Sequence, residues 1–428
     1  MSNLIKIGIC GWGNVATGLF KQLSTNNNLD LNFEITCIGA RRDNPKCDPS
    51  PIKIHRDIFD VIDDDIDVLI ELIGGVEVAK DLIERALASG KHVVTANKAV
   101  IFEHGKELIS LADQYNVKLL FESAVCAGTP IIKMLSNDLQ ANEVSKIAGM
   151  LNGTTNYILS KMEEGESYEQ TLKNAQELGY AEPDPSLDVN GTDAAHKIGI
   201  LSSLAFNSSL PVHGFHIEGI EQITQSDFIF AREFGFVVKH LAVAKKTAHG
   251  VELRSHPTLL KSSSNLASLK GVRNGIQIDT DLLGEFHIAG SGAGQESTAS
   301  GIISDLISLS RTETSNSMNM PEFTNAVKII PFTDLSFRYY IYLEVKDKPG
   351  VLAKVTKIFA DQKISFDKVS QKEQLSDNKV PIIIISDPIN ELNMQNALKE
   401  ARSHEEILDL KIIRIEDWDV FSLNKRCR

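Results

Sequence analysis

Apolar and polar residues in the first 130 positions alternate between strand-like and helix-like patterns. Short apolar runs such as "IKIGIC", "FEITCIGA", "VLIELIG", "HVVTA" and "KLLFESA" predict buried strands. Between them, segments such as "AKDLIERALASG" carry apolar residues at helical spacing. Strands that alternate with helices predict a parallel sheet with helices on both faces. We therefore predict a doubly wound α/β domain over residues 1–130.

The turn between the first predicted strand and helix carries a glycine motif. Gly11-x-Gly13-x-x-Ala16 fits the dinucleotide fingerprint G-x-G-x-x-G/A. Gly11 allows the tight turn, and Gly13 lets a pyrophosphate approach the backbone. The N-terminus of the following helix offers free N–H groups and the positive end of its dipole to the phosphates. The motif predicts a Rossmann domain that binds a nicotinamide cofactor.

The end of the second predicted strand indicates which nicotinamide cofactor is preferred. NAD binding usually requires a carboxylate there, but this chain has "GARRD". Arg41 and Arg42 can hold a 2′-phosphate through charge-assisted hydrogen bonds, and Asp43 comes one or two positions late. We therefore predict NADP in preference to NAD. The alternative is that both arginines are solvated loop residues.

The pattern changes after residue 130. From 131 to 320, helical segments such as "YEQTLKNAQELG" mix with strand-like runs such as "EVSKIAGML", which predicts an α+β domain. Residues 321–337 hold two prolines and little periodicity, so we expect a linker there. From 338 to 428, an alternating strand, the turn "KDKPG", a helix and further strands predict a small third unit, too short for a second enzyme.

Length and charge restrict the class of protein. At 428 residues the chain suggests about three domains. The net charge of −13 argues against nucleic acid or an anionic membrane as the main partner. We find no apolar run of about 18 residues and no signal-peptide pattern. The cysteines lack metal-ligand spacing, so we expect free thiols in a reducing cytoplasm. They are Cys10, Cys37, Cys47, Cys126 and Cys427.

Three segments contain residues that could carry chemistry, and the first is "VVTANKAVI". Thr95, Asn97 and Lys98 follow a strand of the predicted cofactor domain at its carboxyl end, where doubly wound sheets bind ligands. Lys98 could contact a nicotinamide or a substrate oxygen. The alternative is an exposed lysine at the start of a helix.

The second segment, "GYAEPDPSLDVNGTDAAHK", combines Glu182, Asp184, Asp188 and Asp193 with Lys197. Asp193 and Lys197 are separated by four positions, so they project from one face of the helix that follows. Such a pair can orient a lysine that donates a proton. The alternatives are a solvated acidic loop and an ordinary surface ion pair worth a few tenths of a kcal/mol.

The third segment is "FESAVCAGTPII". Glu122 and the carbonyls of a tight turn around Gly128 could bind a small hard cation. Cys126 could act as a thiol nucleophile, as in an aldehyde-oxidising semialdehyde dehydrogenase. Its small, apolar neighbours favour the alternative of a buried, inert thiol.

Together these segments resemble homoserine dehydrogenases. The resemblance rests on the order of "GWGNV", "TANKA", "FESAVCAGTPII", "LNGTTNYIL", "GYAEPDPSLDVNGTDAAHK" and "GSGAGQESTASGIISDL" and covers nearly the whole chain. The C-terminal unit resembles an ACT domain of βαββαβ type, with "KDKPGVL" as its ligand corner. The resemblance implies reduction of L-aspartate 4-semialdehyde to L-homoserine with NADPH or NADH, in threonine and methionine biosynthesis.

The resemblance also implies domain roles. Residues 131–320 would bind substrate and form the dimer contact, and their last helix would pack back on the Rossmann domain. The active protein would be a homodimer or homotetramer. The ACT domain would bind an amino-acid effector such as threonine; the alternative is that it only dimerises or stabilises the protein. The effector corner would be Asp347, Gly350, Val351 and Leu352.

The resemblance and the motifs assign the candidate site residues. The catalytic residues would be Lys197, favoured as the proton donor, with Asp193 and Lys98. The substrate pocket would be lined by Glu182, Asp188, Tyr180, Gly153 and Thr154. The cofactor would contact Gly11, Trp12, Gly13, Asn14, Val15, Arg41, Arg42, Thr95 and Lys98. A monovalent cation, Na⁺ or K⁺, would be held by Glu122 and the carbonyls of Val125, Ala127 and Thr129.

The chain departs from the family pattern at two places. Ala16 stands where relatives often carry glycine, and Gln295-Glu296 stands where they often carry glycine-proline. The second change puts an acid close to the cofactor cleft. Two other functions stay open from the sequence: the aldehyde-oxidising dehydrogenase, and a sensor that binds NADP and an amino acid without catalysis.

Overall fold

The computed structural model describes residues 4–25, 32–209, 213–311, 327–372 and 378–416. Cys427 and the predicted tail after residue 416 lie outside these ranges, as does part of the predicted linker. The other four cysteines are free thiols, as predicted. The helices are α1 Asn14–Thr25, α2 Glu77–Ala88, α3 Lys98–Gln114, α4 Ile131–Lys133, α5 Gly153–Glu163, α6 Tyr168–Glu177, α7 Ser186–Val189, α8 Thr192–Phe206, α9 Gln225–Glu233, α10 Gln295–Ser310, α11 Val351–Asp361 and α12 Glu391–Ala401.

The first sheet is fully parallel and confirms the predicted Rossmann fold. Its six strands lie in the order β3-β2-β1-β4-β5-β6. They are β1 Ile5–Cys10, β2 Phe33–Gly39, β3 Lys53–His55, β4 Val68–Glu71, β5 His92–Thr95 and β6 Leu119–Leu120. The short strand β3 has no apolar run and was not predicted. The strand predicted from "KLLFESA" is limited to β6, because the chain turns into a 3₁₀ helix at Glu122.

The second sheet is mixed and has eleven strands. The strands from the predicted substrate domain, residues 131–320, form the catalytic part of this sheet. They are β7 Val144–Met150, β8 His216–Ile217, β9 Phe236–Thr247, β10 Gly250–Lys261, β11 Arg273–Thr280 and β12 Glu285–Ser291. The C-terminal part has β13 Ser336–Lys346, β14 Phe366–Gln371, β15 Lys379–Ser386, β16 Ile389–Asn390 and β17 Ile407–Glu416. The main order is β12-β11-β7-β9-β10-β17-β13-β15-β14, with β8 on β10 and β16 on β13.

The C-terminal part has the predicted βαββαβ arrangement, with one added short strand, β16. Its last strand, β17, pairs antiparallel with β13 and parallel with β10. The strands of this C-terminal part, the predicted ACT region, are therefore continuous with those of the catalytic part. Residues 327–337, which we expected to belong to a linker, pack against this junction. Ile329 bridges Val251, and the ring of Phe332 stacks on His216 with centroids 3.5 Å apart.

Helix α10 returns from the catalytic part to the Rossmann sheet. Its buried residues Ala299, Ile302 and Leu306 belong to the same apolar cluster as Ala16 and Leu19 of α1. A Cβ atom on Gly18 would lie 2.6 Å from Cγ of Gln295, so α1 and α10 are in close contact. Gln295 therefore packs against α1, while its neighbour Glu296 is exposed. The chain boundaries of the three domains stay predictions.

None of the helices within the described ranges is long and apolar enough to cross a membrane.

Candidate active site

The glycine loop stands at the carboxyl edge of the parallel sheet. Gly11 has φ +100°, and a Cβ atom there would lie 2.5 Å from the carbonyl oxygen of Leu72. Gly13 is exposed, and no atom lies within 4 Å of the position that its Cβ would take. The indole of Trp12 is buried and donates a hydrogen bond to the carbonyl of Cys47 at 3.1 Å. The loop is therefore anchored by Trp12 and open at Gly13, which fits an approaching pyrophosphate.

Glu71, at the end of β4, is a buried carboxylate that the sequence analysis missed. It accepts hydrogen bonds from the hydroxyl of Thr95 at 2.5 Å and from the N–H groups of Ile73 and Gly74. Burial raises the pKa of Glu71, although these hydrogen bonds oppose the shift. The carboxylate fixes Thr95 and the 73–74 turn at the cofactor edge. A lone glutamate inside the apolar run "VLIELIG" was the available signal.

Arg41 and Arg42 are both exposed beyond β2. Asp43, the displaced carboxylate, forms an ion pair with Arg56 at 2.7 Å. Arg56 also donates to the carbonyl of Ala40 at 3.3 Å. This third arginine follows β3 and was missed because β3 itself was missed. The edge of the sheet therefore carries three guanidinium groups and one neutralised carboxylate.

Asp193 lies at the centre of the predicted catalytic cluster. Its Oδ1 atom is 2.7 Å from Nζ of Lys98, and its Oδ2 atom is 2.8 Å from Nζ of Lys197. The residue is only 4% exposed, so the alternative of a surface ion pair is wrong. Burial alone would raise the pKa of Asp193, but the charges of Lys197 and Lys98 hold it well below its usual range. Asp193 is therefore ionised at neutral pH.

Asn152 joins the two inner aspartates and was also missed from the sequence. Its Nδ2 group donates to Asp188 at 2.7 Å and to Asp193 at 2.8 Å. Its Oδ1 atom caps α5 by accepting from the N–H of Thr155 at 2.8 Å. Burial and the charge of Asp193 raise the pKa of Asp188. An asparagine before the helix start in "LNGTTNYIL" was the N-cap signal.

Lys197 is held between Asp193 and a main-chain carbonyl. Its ammonium donates to Leu151 O at 2.7 Å. Burial lowers the pKa of Lys197, but Asp193 outweighs this and raises it overall, so the side chain is an ammonium at neutral pH. Asn274 donates to the same carbonyl at 3.0 Å and to Sγ of Cys126 at 3.1 Å. Burial raises the pKa of Cys126, which favours an unreactive thiol.

The other substrate candidates lie at the rim of this cluster. Thr154 donates its hydroxyl to the carbonyl of Tyr180 at 2.6 Å, and Gly153 begins α5. Tyr180 is exposed and meets Tyr157 edge to face at 5.2 Å. Glu182 is exposed and forms no ion pair with any described residue. The structure thus separates the acidic segment into buried Asp193, half-buried Asp188 and exposed Glu182.

Glu122, the acid expected to hold a cation, is buried. Glu122 accepts from the N–H groups of Ile132 and Lys133. Burial and nearby Asp305 raise the pKa of Glu122 to about 7. The hydroxyl of Thr129 is buried without a hydrogen-bond partner among the described residues. A buried hydroxyl without a partner and a buried acid with a raised pKa are both groups that a cation could bind.

The neighbouring carbonyl oxygens are also available to a cation. No described residue donates a hydrogen bond to Val125 O or Ala127 O. Thr129 O accepts from the N–H of Ile131 at 2.8 Å and keeps a second lone pair. The candidate ligands are therefore all oxygen atoms, the atom type that hard cations require.

The predicted effector corner lies at the start of α11. Gly350 caps this helix with φ +91°, and the position of its Cβ has no atom within 4 Å. Asp347 and Leu352 are exposed, whereas Val351 is buried. The corner lies between β13 and α11 in the C-terminal part, and no hydrogen bond or ion pair between described residues joins it to the Asp193 cluster.

Family models match three consecutive parts of the chain. Residues 11–122 match the homoserine dehydrogenase NAD-binding domain, and residues 130–307 match the homoserine dehydrogenase family. Residues 339–406 match the ACT domain. These matches fall on the parallel sheet, the catalytic part of the mixed sheet and its C-terminal part, although β1 and β17 lie outside the matched ranges.

Individual relatives resemble the chain over most of its length. The homoserine dehydrogenase of Pseudomonas aeruginosa is 41% identical, with 92% of this chain and 94% of that protein covered. A crystal structure of a homoserine dehydrogenase from Thiobacillus denitrificans superimposes with a TM-score of 0.91 at 35% identity, over 97% and 99% of the two chains. A hyperthermophilic archaeal homoserine dehydrogenase in complex with NADPH matches at 26% identity and a TM-score of 0.62, over 73% of this chain and 99% of that one.

Proposed function

The chain belongs to the homoserine dehydrogenase family, and we propose how its own residues divide the work of that reaction. The enzyme interconverts L-aspartate 4-semialdehyde and L-homoserine with a nicotinamide cofactor. Family membership decides against the aldehyde-oxidising dehydrogenase and the non-catalytic sensor. We place the reaction in the cytoplasm, supported by the four free thiols. The observation that supports our assignment of roles is the buried Lys98–Asp193–Lys197 cluster.

The substrate carries an ammonium, a carboxylate and an aldehyde, and the cluster offers a partner for two of them. Half-buried Asp188 and exposed Glu182 suit the ammonium. The aldehyde oxygen would lie at Lys197, beside Gly153 and Thr154. The nicotinamide, when bound along Thr95 and Lys98, supplies the hydride for the aldehyde carbon.

Lys197 is the proton donor in this proposal. Hydride addition places negative charge on the aldehyde oxygen, and a nearby ammonium stabilises that charge and passes one proton to it. Lys197 is 11% exposed and its orientation is fixed by both Asp193 and Leu151 O. Lys98 is 34% exposed, and Asp193 is its single ion-pair partner among the residues that the structure describes. The better-fixed ammonium is the better donor, and Lys98 would contact the nicotinamide and the substrate.

Replacing Lys197 by alanine should lower kcat by roughly 10²–10⁴-fold, because an acid–base group is lost. The Kd for NADPH should be unchanged, since the partners of Lys197 are Asp193 and Leu151 O and not residues of the glycine loop. The measurement is steady-state oxidation of NADPH with L-aspartate 4-semialdehyde, together with NADPH titration. Lys173→Ala, which removes an exposed lysine of α6, is the control. A Lys197→Ala enzyme within tenfold of wild type would transfer the role to Lys98.

We propose that NADPH is preferred over NADH. The support is the group of three guanidinium ions beyond β2 and β3, in which Arg56 neutralises Asp43. That carboxylate would otherwise repel a 2′-phosphate. Arg41 and Arg42 keep exposed side chains at the same edge. Their hydrogen bonds to a phosphate would be charge-assisted.

The double substitution Arg41→Ala/Arg42→Ala should raise the KM for NADPH by roughly 10- to 100-fold, in line with charge-assisted bonds of about 1.5–3 kcal/mol. The KM for NADH should change little, because NADH lacks the phosphate. Parallel assays with the two cofactors give the ratio of the KM for NADPH to the KM for NADH in each variant. Arg402→Ala removes an exposed arginine of the ACT region and is the control. Equal losses with the two cofactors would contradict the assignment.

We also propose that Glu122, Val125, Ala127 and Thr129 bind Na⁺ or K⁺. Because the pKa of Glu122 is raised to about 7, the folded protein takes up a proton there as pH falls towards 6. Proton and cation compete for the same carboxylate. Cation binding therefore strengthens as pH rises from 6 to 8.

The measurement is thermal unfolding at equal ionic strength in NaCl, KCl or choline chloride. At pH 8 we expect Tm to be roughly 2 °C or more higher in the preferred salt than in choline chloride, by ligand stabilisation of the folded state. The difference should shrink at pH 6 and vanish in Glu122→Gln. Glu143→Gln, at an exposed position, should keep it. No salt-specific difference at pH 8 would exclude a cation here.

The ACT domain indicates regulation by a small molecule. We propose threonine as the effector, bound at Asp347 and Gly350–Leu352 between two chains of a homodimer or homotetramer. The edge strand β14 supports assembly, because its outer main-chain groups have no partner strand within the described ranges.

Threonine added at millimolar concentration should inhibit wild-type enzyme, and Gly350→Asp should weaken that inhibition about tenfold or more. The substitution puts a charged side chain at the start of α11, at φ +91°. Gly284→Asp is the control, because Gly284 also has a positive φ and open space but lies in the β11–β12 hairpin. Titration of threonine into the assay decides the matter. An absence of inhibition up to tens of millimolar would remove threonine as the effector.

A further inference from the structure

A short segment, Glu218–Ile220, lies between the catalytic cluster and the ACT region. It follows β8, whose residues pair in parallel with β10. On one side it contacts the turn Val189–Gly191, which precedes α8. On the other side it contacts Arg414, on strand β17. No motif in the sequence marks this segment.

The contact with the turn is tight and made by main chain. The N–H of Ile220 donates to Val189 O at 2.9 Å. A Cβ atom on Gly219 would lie 2.5 Å from the same oxygen, so no side chain fits between the two segments. The hydroxyl of Ser255 donates to Gly191 O at 3.0 Å. The turn therefore rests on the segment and on β10.

A buried histidine, His240, adds a hydrogen bond to the contact between the Glu218–Ile220 segment and the turn. Nε2 of His240 is 3.0 Å from the carbonyl oxygen of Glu218 and donates to it, because a carbonyl can only accept. A Cβ atom on Gly191 would lie 2.9 Å from this nitrogen. Gly191 has φ +87° and is the N-cap of α8. Asp193 comes two residues later, and Lys197 lies one helical turn after Asp193. The position of Gly191 therefore determines the position of the first turns of α8 and of both side chains.

The contact with the ACT region is an ion pair. NH1 of Arg414 lies 2.8 Å from Oε2 of Glu218. The other two guanidinium nitrogens bind Glu391 in a bidentate pair at 2.7 and 2.9 Å, and Tyr339 donates to the same carboxylate at 2.6 Å. The guanidinium also lies over the ring of Phe332 at 4.8 Å. Arg414 is thus rigidly held by the ACT region and presents one N–H to Glu218.

We propose that Glu218 is a positioning residue. Its ion pair with Arg414 fixes the Glu218–Ile220 segment, and this segment holds the Val189–Gly191 turn in place. The position of the turn then determines the positions of Asp193 and Lys197. The placement of the proton donor then depends on the position of β17. This inference rests on the proposed role of Lys197 in proton donation.

Glu218→Ala should lower kcat by roughly 10- to 100-fold, because a misplacement of about 1 Å at the reacting groups has effects of this size. The KM for NADPH should stay within twofold, because the glycine loop is not involved. Glu218→Gln, which keeps an oxygen acceptor for Arg414, should recover most of the loss. With NADPH deuterated at the transferred position, the isotope effect on kcat should rise in Glu218→Ala. Arg414 keeps Glu391 as its partner in these variants, so no buried charge is left unpaired.

Asp367→Ala is the matched control. It removes another carboxylate that pairs with an ACT-region arginine, Arg338, at 2.8 Å, away from the turn. Its kcat should stay within twofold of wild type. Ser255→Ala removes the hydrogen bond from β10 to the carbonyl of Gly191 and should lower kcat several-fold. If Glu218→Ala lowers only Tm, or lowers kcat no more than Asp367→Ala does, Glu218 is merely structural and the proposal is overturned.

The double variant Lys197→Ala/Glu218→Ala separates this inference from the proposed function. If Glu218 acts through Lys197, adding Glu218→Ala to Lys197→Ala should cost less than twofold further. Independent, multiplied losses would overturn the route through Lys197. Lys197→Ala alone within tenfold of wild type would instead show that the proton-donor assignment had failed.

Discussion

Asp193 is a buried carboxylate, and its need for partners organises much of this protein. An unpaired ionised carboxylate in the interior is so costly that it would be protonated. Two ammonium groups and the amide of Asn152 prevent this. A pair of this kind contributes little net stability, because desolvation offsets the attraction. Its value lies in the geometry that it imposes on Lys197, which it keeps charged and oriented.

The partners of Asp193 come from different parts of the chain. Lys98 begins α3 of the Rossmann domain, while Asn152 caps α5 and Lys197 belongs to α8 of the catalytic part. The carboxylate can be fully satisfied only when the two domains are docked. The packing of α10 against α1 supports the same docking with apolar contacts. The electrostatic contact at Asp193 and the hydrophobic contact between α1 and α10 therefore both help to bring the cofactor edge and the acid–base pair together.

The ACT region is built into the catalytic sheet through hydrogen bonds between strands. Strand β17 hydrogen-bonds to β10, and Glu416 at its end binds both Arg254 and Lys146 of the catalytic strands. These two cations lower the pKa of Glu416 to about 2 despite its burial. Any shift of β17 would disturb these buried charges. A movement of the ACT region would therefore be transmitted to β10 and to the segment beside the catalytic turn.

The sequence by itself determined the Rossmann fold through its periodicity and glycine loop, and the Asp193–Lys197 pair through its i, i+4 spacing, because these are local signals. The βαββαβ unit and the role of Lys98 were indicated by the resemblance to a known family. It did not reveal Asn152, Glu71 or Arg56 as site residues. The role of each depends on a neighbour from another strand or helix: Asp193 for Asn152, Thr95 for Glu71 and Asp43 for Arg56. Nor did it show that β17 joins the catalytic and C-terminal parts of the mixed sheet, since strand order across domains is decided by which exposed edges fit together. Only the tertiary structure decided that Asp193 is buried while Glu182, in the same acidic segment, faces solvent, because burial depends on what packs above each residue.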